Sequence, residues 1–351
     1  LGKGVDGAQV ADSAIIAYRL ARLINCPVVA TGEEDYVSDG TRVFAVPHGH
    51  SIMTAVTGTG CLLGAVLAAF FGIYDSFKDS LSTGEFLAYA LAYYGLAGES
   101  AVKVSGIKPG SFSVAFMDAL YTLDDEVLVS ENRVQSVVVP DQLQVYFVCG
   151  TQDTELNKKR LLEIVEDACR GGITCFQFRE KGDGTLEGQQ KLELAQRLQH
   201  ICAKYHVLYI INDDVELAVA VNADGVHVGQ DDMCLEDVRN IVGHKVVGIS
   251  IHSIEELHKT DVLYADCVGV GPMYTTSSKP DAQEPCGPER ITELQAQGLT
   301  LPCVGIGGIT IDNAMAVLRA GACGVAVISA IAHAENPYEA ARQFKELASS
   351  L

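Results

Sequence analysis

One short stretch, FQFREK (176–181), places an amide and two cations at alternate positions. In an extended chain the side chains of Gln177, Arg179 and Lys181 project from the same side of the backbone. Such a group is suited to binding a diphosphate through charge-assisted hydrogen bonds. A lone arginine at the end of a strand is more often a solvated surface residue, so this interpretation depends on which other groups lie nearby.

Further polar groups follow other short apolar segments of the chain. Carboxylates at Asp213 and Asp232 are the oxygen donors that Mg²⁺ prefers, whereas the glycines of GIGG (305–308) expose backbone N–H groups that suit a phosphate monoester. One diphosphate site and one monophosphate site indicate transfer of a group away from diphosphate. The plainer alternatives are that acidic residues such as Asp214 cap the next helix and that the glycines only permit a tight turn. The complete predicted set adds Asn212, Ser250, the hydroxyl-rich loop with Thr276, Ser277, Ser278 and Lys279, and Gly308, Ile328 and Ser329.

These groups share one feature, which is that each follows an apolar segment typical of a buried strand. Eight such segments alternate with amphipathic helical patterns after residue 144, which predicts a (β/α)₈ barrel with its chemistry at the carboxyl ends of the strands. The segments are 145–150, 174–180, 207–213, 225–229, 245–250, 267–274, 303–309 and 324–331.

Residues 1–123 follow a different pattern. They predict a helix at 8–24, a buried strand at 26–32 and a hairpin at 36–47 that turns at Asp39-Gly40. The segment VTGTGC (56–61) places glycines before an apolar stretch that predicts a buried helix, an arrangement that suits a phosphate. We interpret residues 124–142 as a linker and residues 143–351 as the barrel domain.

Composition limits the classes of function. The 351 residues suffice for two domains, and 48% hydrophobic with 20% charged residues is typical of a globular protein. A net charge of −20 argues against a nucleic-acid surface. Neither a membrane span nor a signal peptide is predicted. Eleven cysteines without a CxxC pair indicate a reducing compartment, so we expect a cytoplasmic protein. We also expect small-molecule partners and a homo-oligomer.

Residues 144–350 resemble thiamine-phosphate synthase. The matching motifs are FQFREK, INDD, GVHVGQDD, GISIHS, GPMYTTSSKPDA, VGIGGIT and VISAI. The resemblance implies that hydroxymethylpyrimidine diphosphate is joined to a thiazole phosphate, with release of diphosphate. It also implies that Gln177 to Lys181, Asn212, Ser250 and Lys279 hold the pyrimidine diphosphate and that Asp213 and Asp232 bind Mg²⁺. Thr276, Ser277, Ser278, Gly308, Ile328 and Ser329 then hold the thiazole phosphate.

The implied mechanism is dissociative, with Arg179, Lys181 and Lys279 as the catalytic groups that stabilise the departing diphosphate. A thiazole tautomerase of the same superfamily is the nearest alternative, but it does not need the diphosphate-binding groups. His252 could suggest proton transfer, and we interpret it as a hydrogen-bonded structural histidine.

Residues 1–123 resemble the C-terminal half of hydroxyethylthiazole kinase, a ribokinase-like α/β enzyme. KGVD, VVATGEEDYVSDG, HGH, VTGTGC and KPGSF carry the resemblance. It implies that Cys61 is the base acting on the substrate hydroxyl, that Gly58 binds substrate and that Thr31 binds ATP. That kinase makes the thiazole phosphate which the barrel consumes. Because the chain begins at Leu1 and the other half of the kinase is absent, we expect that a preceding segment is missing. A bifunctional enzyme and a catalytically silent module for oligomer contacts remain alternatives.

Overall fold

A computed structural model of the chain describes residues 10–78, 80–276, 278 and 283–350. They form two compact units that divide between Val137 and Val138. The KGVD motif (3–6), Ser277 and Lys279 lie outside the described residues. In the described ranges, no helix combines the length and the apolarity that crossing a membrane requires.

The first unit contains a four-stranded antiparallel sheet with its strands in sequence order. Apolar residues of β3 and α3, among them Phe44 and Leu91, form its core. The strands are β1 (Val28–Ala30), β2 (Asp35–Ser38), β3 (Val43–Val46) and β4 (Gln135–Ser136). The helices are α1 (Val10–Ile24), α2 (Thr59–Phe71), α3 (Thr83–Ser105), α4 (Pro109–Thr122) and α5 (Asp125–Ser130).

The predicted hairpin is present in this unit. Strands β2 and β3 pair in antiparallel register, with Ser38 opposite Val43. Gly40 takes a positive φ of 87° in the turn, which glycine adopts without steric cost. The Asp39 carboxylate accepts hydrogen bonds from the backbone N–H groups of Thr41 and Arg42 at 3.0 and 2.9 Å, and so closes the turn.

Two expectations for the first unit are wrong. The segment predicted as a buried strand forms β1, which is only half-buried. The segment predicted as a buried helix forms α2, none of whose residues is buried. An apolar sequence indicates a tendency to be buried, but burial requires other residues to pack over the helix. On α2 such residues are absent around Gly60 and Gly64, where an added Cβ would meet no atom within 4 Å.

The range interpreted as a linker, 124–142, contains regular structure. Helix α5 begins after Asp124, whose carboxylate caps it by accepting a hydrogen bond from the Glu126 N–H. Strand β4 pairs with β3, and a 3₁₀-helix covers Pro140–Leu143. The division between the two units therefore falls inside this range.

The second unit is a closed barrel of eight parallel strands, as predicted. Each strand pairs with its sequence neighbours, and β12 pairs with β5 to close the barrel. The strands are β5 (Val145–Cys149), β6 (Cys175–Phe178), β7 (Leu208–Asn212), β8 (Gly225–Val228), β9 (Val246–Ile251), β10 (Cys267–Val270), β11 (Cys303–Ile306) and β12 (Gly324–Val327). The helices are α6 (Lys158–Gly171), α7 (Gly188–Lys204), α8 (Val215–Ala220), α9 (Leu235–Val242), α10 (Ile254–Lys259), α11 (Glu289–Ala296), α12 (Ala314–Arg319), α13 (Ser329–Ala332) and α14 (Pro337–Ala348).

Alternation along the strands divides the barrel core into two layers. Phe147, Phe176 and Tyr209 belong to the layer shared with the helices, whereas Tyr146 and Cys175 belong to the smaller layer inside the barrel. Burying one large apolar side chain contributes about 1.5–3 kcal/mol, so a slip of one residue in β6 would be strongly disfavoured. This register directs residues 177 and 179 toward the barrel mouth.

Candidate active site

The carboxyl ends of the barrel strands surround a cavity of about 510 Å³. Within the implied range 177–181, Phe178 and Glu180 do not line this cavity. All other barrel residues that the sequence predicted as functional, and that the structure describes, line it. They are Gln177, Arg179, Lys181, Asn212, Asp213, Asp232, Ser250, Thr276, Ser278, Gly308, Ile328 and Ser329. Positions up to about 150 residues apart in the chain thus contribute to one concave site.

The backbone around Arg179 is held from both sides. The Arg179 N–H donates to the Cys149 carbonyl at 3.1 Å, and its carbonyl accepts from the Gln152 side chain at 2.7 Å. Glu180 accepts hydrogen bonds from the backbone N–H groups of Thr151 and Leu186, each at 2.9 Å. Because Glu180 anchors the chain to these two loops, the flanking side chains of residues 179 and 181 are left for the cavity.

Arg179 is almost completely buried, with 7% of its surface exposed. Among the described residues, no carboxylate lies within salt-bridge distance of its guanidinium group, while several other arginines, such as Arg42 and Arg239, are ion-paired. A buried guanidinium without a paired carboxylate is costly to the fold. It also provides a fork of donors that matches a phosphate group.

Lys181, Asp213 and Asp232 form a charged cluster at the edge of the cavity. The Lys181 Nζ lies 2.8 Å from Asp213 Oδ2, and this hydrogen bond raises the pKa of Lys181. Asp232 accepts a hydrogen bond from the Gly229 N–H at 2.7 Å. Burial raises the pKa of Asp232, and its interaction with Asp213 raises that pKa further.

The two carboxylates fit a magnesium ion. Mg²⁺ is commonly held by one or two carboxylates together with substrate phosphates and water. Asp213 is close enough to Asp232 to raise its pKa, and the oxygens of both belong to the donor class that Mg²⁺ prefers. Within the described residues, no cluster of three or more His, Cys, Asp or Glu side chains forms a closed metal site, so substrate oxygens would have to complete the coordination.

Asp214, the neighbour of Asp213, has the plain structural role that the sequence allowed. Its Oδ1 accepts a hydrogen bond from the Leu217 N–H at 3.0 Å and caps α8. Its Oδ2 pairs with Lys191 at 2.7 Å. The two consecutive aspartates of INDD thus differ in role. Asp213 takes a positive φ of 60°, which turns the chain between them.

The opposite side of the cavity is built from tight glycine turns. Gly307 and Gly308 have φ values of 98° and 64°. A Cβ at Gly308 would lie 2.5 Å from the Thr275 carbonyl oxygen, so this position needs glycine for space as well as for φ. Asn313 donates a side-chain hydrogen bond to the Gly308 carbonyl at 3.1 Å and fixes the turn.

Two polar pairs inside the barrel were not predicted from the sequence. Gln177 Nε2 donates to the Tyr146 hydroxyl at 2.8 Å, and the His227 Nε2 shares a hydrogen bond with Ser250 Oγ at 3.0 Å. Tyr146 and His227 also line the cavity. Their position at inward-facing sites of VYFVC and GVHV, among otherwise apolar residues, was a signal that strand alternation could have identified.

His252 is hydrogen-bonded to the backbone, in agreement with the structural role predicted for it. Its Nδ1 lies 2.6 Å from the Gly271 carbonyl oxygen, which makes Nδ1 the donor. Its backbone N–H donates to the Glu256 side chain at 2.7 Å. The ring therefore holds the segment after β10 next to β9 at the edge of the cavity.

In the first unit, Gly58 and Cys61 lie at the start of α2. Gly58 is the N-cap residue, with a φ of 98°, and Cys61 is exposed in the first turn. Thr31 is exposed just after β1. Among the described residues, no hydrogen bond joins Thr31 to this turn, so the structure does not bring these three predicted residues into one bonded site.

Two family models match the chain. The model described as thiamine monophosphate synthase matches residues 145–331, and that of the hydroxyethylthiazole kinase family matches residues 1–126. A thiamine-phosphate synthase of Bacillus velezensis is 47% identical over 214 residues, which are 61% of this chain and 94% of that protein.

Solved structures give similar matches. Thiamine phosphate pyrophosphorylase from Pyrococcus furiosus is 29% identical with a TM-score of 0.54, over 61% of this chain and 98% of that one. Hydroxyethylthiazole kinase from Pyrococcus horikoshii is 35% identical with a TM-score of 0.32. That match covers 36% of this chain and 47% of the kinase chain, so this chain spans about half of the kinase's length.

Proposed function

The chain belongs to the thiamine monophosphate synthase family and is a transferase, and on this basis we propose how its barrel works as a thiamine-phosphate synthase. It joins the aminopyrimidine of hydroxymethylpyrimidine diphosphate to a thiazole phosphate, giving thiamine phosphate and diphosphate. The observation that carries this proposal is the cavity itself. Arg179, Lys181 and the Asp213–Asp232 pair lie along it together with the glycine turn at Gly308.

The pyrimidine diphosphate is held by Gln177, Arg179, Lys181, Asn212, Ser250 and Lys279. Asp213 and Asp232 hold Mg²⁺, which would neutralise charge on the diphosphate when bound. The thiazole phosphate is held by Thr276, Ser277, Ser278, Gly308, Ile328 and Ser329. This division is supported by cations and carboxylates at one part of the cavity and exposed backbone turns at another.

Bond breaking precedes bond formation in this proposal. As the C–O bond to the diphosphate breaks, negative charge accumulates on the leaving group, and the cations of Arg179, Lys181 and Lys279 stabilise it. The resulting pyrimidinylmethyl cation is captured by the thiazole nitrogen. A buried guanidinium with no paired carboxylate among the described residues supports this role, because it requires no rearrangement of a salt bridge before it can bind diphosphate.

The experiment is a coupling assay on the full chain with both substrates and Mg²⁺, measuring thiamine phosphate and diphosphate. Arg179→Ala and Asp213→Ala should abolish coupling while the protein remains folded. Arg170→Ala is a matched control, because Arg170 pairs with Asp167 on the exposed surface of α6. Full activity in either cavity variant would refute the site assignment.

A second candidate activity is phosphorylation of hydroxyethylthiazole by ATP, favoured by the family match over residues 1–126. Residues 1–123 correspond to the C-terminal half of such a kinase and 143–351 to the synthase domain, and residues 124–142, which contain α5 and β4, connect the two. Thr31 contacts ATP, Gly58 contacts substrate and Cys61 is the base. ATP-dependent phosphorylation that disappears in Cys61→Ala but persists in Cys26→Ala, also an exposed thiol of this unit, would establish the activity.

If the parent chain does not phosphorylate hydroxyethylthiazole, the remaining alternative is a catalytically silent module that serves contacts between copies of the chain. Sedimentation of the full chain measures that association. The proposed function also includes small-molecule substrates, a homo-oligomeric assembly and a cytoplasmic location. The eleven free cysteines of the chain support a reducing compartment.

A further inference from the structure

His252 connects the end of β9 to the chain that follows β10. The pairing of these two strands ends with Ile251 opposite Val270. One residue further along each strand, the Nδ1 atom of His252 donates to the Gly271 carbonyl oxygen at 2.6 Å. The backbone N–H of His252 is engaged elsewhere, because it donates to the Glu256 side chain at 2.7 Å. The imidazole ring therefore extends the attachment beyond the paired strands.

The segment attached in this way, residues 271–275, is also bonded to the end of β11. The Met273 N–H donates to the Ile306 carbonyl at 2.8 Å. The Tyr274 N–H donates to the Gly307 carbonyl at 3.0 Å. The segment thus lies between β9 and the glycine turn after β11, with the imidazole ring as its attachment on the β9 side.

Groups that the proposed function assigns to the thiazole phosphate lie next to this segment. Thr276 follows it directly in the chain, and both Thr276 and Ser278 line the cavity. The glycine turn packs against it so closely that a Cβ added at Gly308 would lie 2.5 Å from the Thr275 carbonyl oxygen. Because contacts this tight transmit a displacement, a shift of the segment would move these groups together.

We propose that His252 is a positioning residue for the thiazole phosphate, and that it acts through the Gly271 carbonyl by holding residues 271–275. The pyrimidine diphosphate depends less on this segment. Of the side chains assigned to that substrate, only Lys279 follows the segment in the chain, and the others belong to other strands and loops. This inference rests on the proposed function, which supplies both substrates.

A positioning role and a proton-transfer role make different demands on the side chain. Positioning needs only an N–H group in the place of Nδ1. Asparagine supplies one, because its side-chain nitrogen is bonded to Cγ as Nδ1 is. Leucine has nearly the shape of asparagine but no donor. His252→Asn should therefore keep the hydrogen bond to Gly271 and His252→Leu should lose it, whereas both variants would lose a proton-transfer group.

The size of the effect follows from hydrogen-bond energetics. Loss of one neutral hydrogen bond changes an equilibrium constant by about 2- to 10-fold. His252→Leu should therefore raise the KM for thiazole phosphate by about 2- to 10-fold, and change the KM for pyrimidine diphosphate by less than about twofold. The value of kcat should change less than the KM for thiazole phosphate, because the displaced groups bind the ground state and the transition state alike.

The test is coupling kinetics on the full chain with Mg²⁺, varying each substrate in turn, together with calorimetric titration of thiazole phosphate. His200→Leu is the matched control. The Nδ1 of His200 also lies 2.7 Å from a backbone carbonyl oxygen, that of Gln196, but on the exposed surface of α7. The expected result is a raised KM and dissociation constant for thiazole phosphate in His252→Leu, with parent-like values in His252→Asn and His200→Leu.

An equal loss in His252→Leu and His252→Asn would overturn the donor role of the ring. Unchanged KM values in His252→Leu, or an equal rise for both substrates, would overturn the specific link to the thiazole phosphate. His252→Phe keeps a planar ring without a donor, and gives the same measurement if His252→Leu fails to fold.

The titration separates this proposal from the proposed function. Parent protein that binds thiazole phosphate without coupling would contradict the synthase activity, and weaker binding in His252→Leu but not in His252→Asn would then still support the positioning role. Parent protein that neither couples nor binds thiazole phosphate would overturn both proposals.

Discussion

Replacing Arg179 by methionine should change the stability and the activity of the protein in opposite directions. Arg179 is 7% exposed and, within the described residues, is not paired with a carboxylate. An effective penalty of several kcal/mol accompanies an uncompensated buried charge. Part of it is offset here by the longer-range attraction between Arg179 and Asp153, so we expect Arg179→Met to raise the free energy of unfolding by about 1–3 kcal/mol.

The same change should weaken diphosphate binding. A guanidinium group makes two charged hydrogen bonds to a phosphate in the bidentate geometry, and each is worth about 1.5–3 kcal/mol. A loss of about 3–6 kcal/mol corresponds to a dissociation constant raised by about 10²- to 10⁴-fold. Because the leaving group gains charge as the bond breaks, the rate of coupling should fall at least as steeply.

Differential scanning calorimetry of the full chain measures the first effect, and titration with Mg²⁺-diphosphate measures the second. The thermal unfolding transition that shifts when diphosphate is added belongs to the barrel. A ligand at 100 times its dissociation constant stabilises the folded state by about 2.7 kcal/mol. For a domain of this size, 1 kcal/mol corresponds to about 2–4 °C in midpoint. The reasoning would be refuted if Arg179→Met were less stable than the parent protein. It would also be refuted if Arg179→Met bound diphosphate as tightly as the parent does.

Three further predictions concern single substitutions. Gly308→Ala should raise the KM for thiazole phosphate about tenfold or more, because the added Cβ would lie 2.5 Å from the Thr275 carbonyl oxygen. The control in the same kinetic assay is Gly298→Ala, since Gly298 also has a positive φ but no atom lies close to its Cβ position. Asp232→Asn should raise the Mg²⁺ concentration for half-maximal coupling about tenfold, and an equal shift in Asp231→Asn would argue against a specific ligand. Burial raises the pKa of Asp35 to about 6, because the folded state disfavours the charged carboxylate. The free energy of unfolding of the first unit should therefore fall by up to about 3 kcal/mol as pH rises from 4 through 6. Asp35→Asn should therefore raise the midpoint of unfolding at pH 7.5 but not at pH 4, and the same gain at both pH values would contradict this cause.

Much of the barrel could be predicted because each unit of it is local. A short apolar strand, a polar residue at its end and an amphipathic helix recur eight times, and a regular alternation of this kind closes into a parallel barrel. Since all the carboxyl ends of such strands lie at one rim, the cavity residues could be grouped from sequence position alone. The described members of that group line one cavity.

Burial in the first unit could not be predicted in the same way. The apolar segment of α2 predicts a helix correctly, but its exposure depends on which surfaces pack over it. Local sequence records only how apolar a helix is. The covering surface is a property of the tertiary structure, so the prediction of a buried helix was wrong while the prediction of the helix was right.

The sequence by itself determined the number and order of the barrel strands, and which residue types lie at their ends. Only the tertiary structure decided which side chains meet. Tyr146 contacts Gln177 from 31 positions away, and His227 contacts Ser250 from 23 positions away. A whole helix separates each pair along the chain, and the contact arises from the register of neighbouring parallel strands. That register is set by core packing around the entire barrel, which no local pattern specifies.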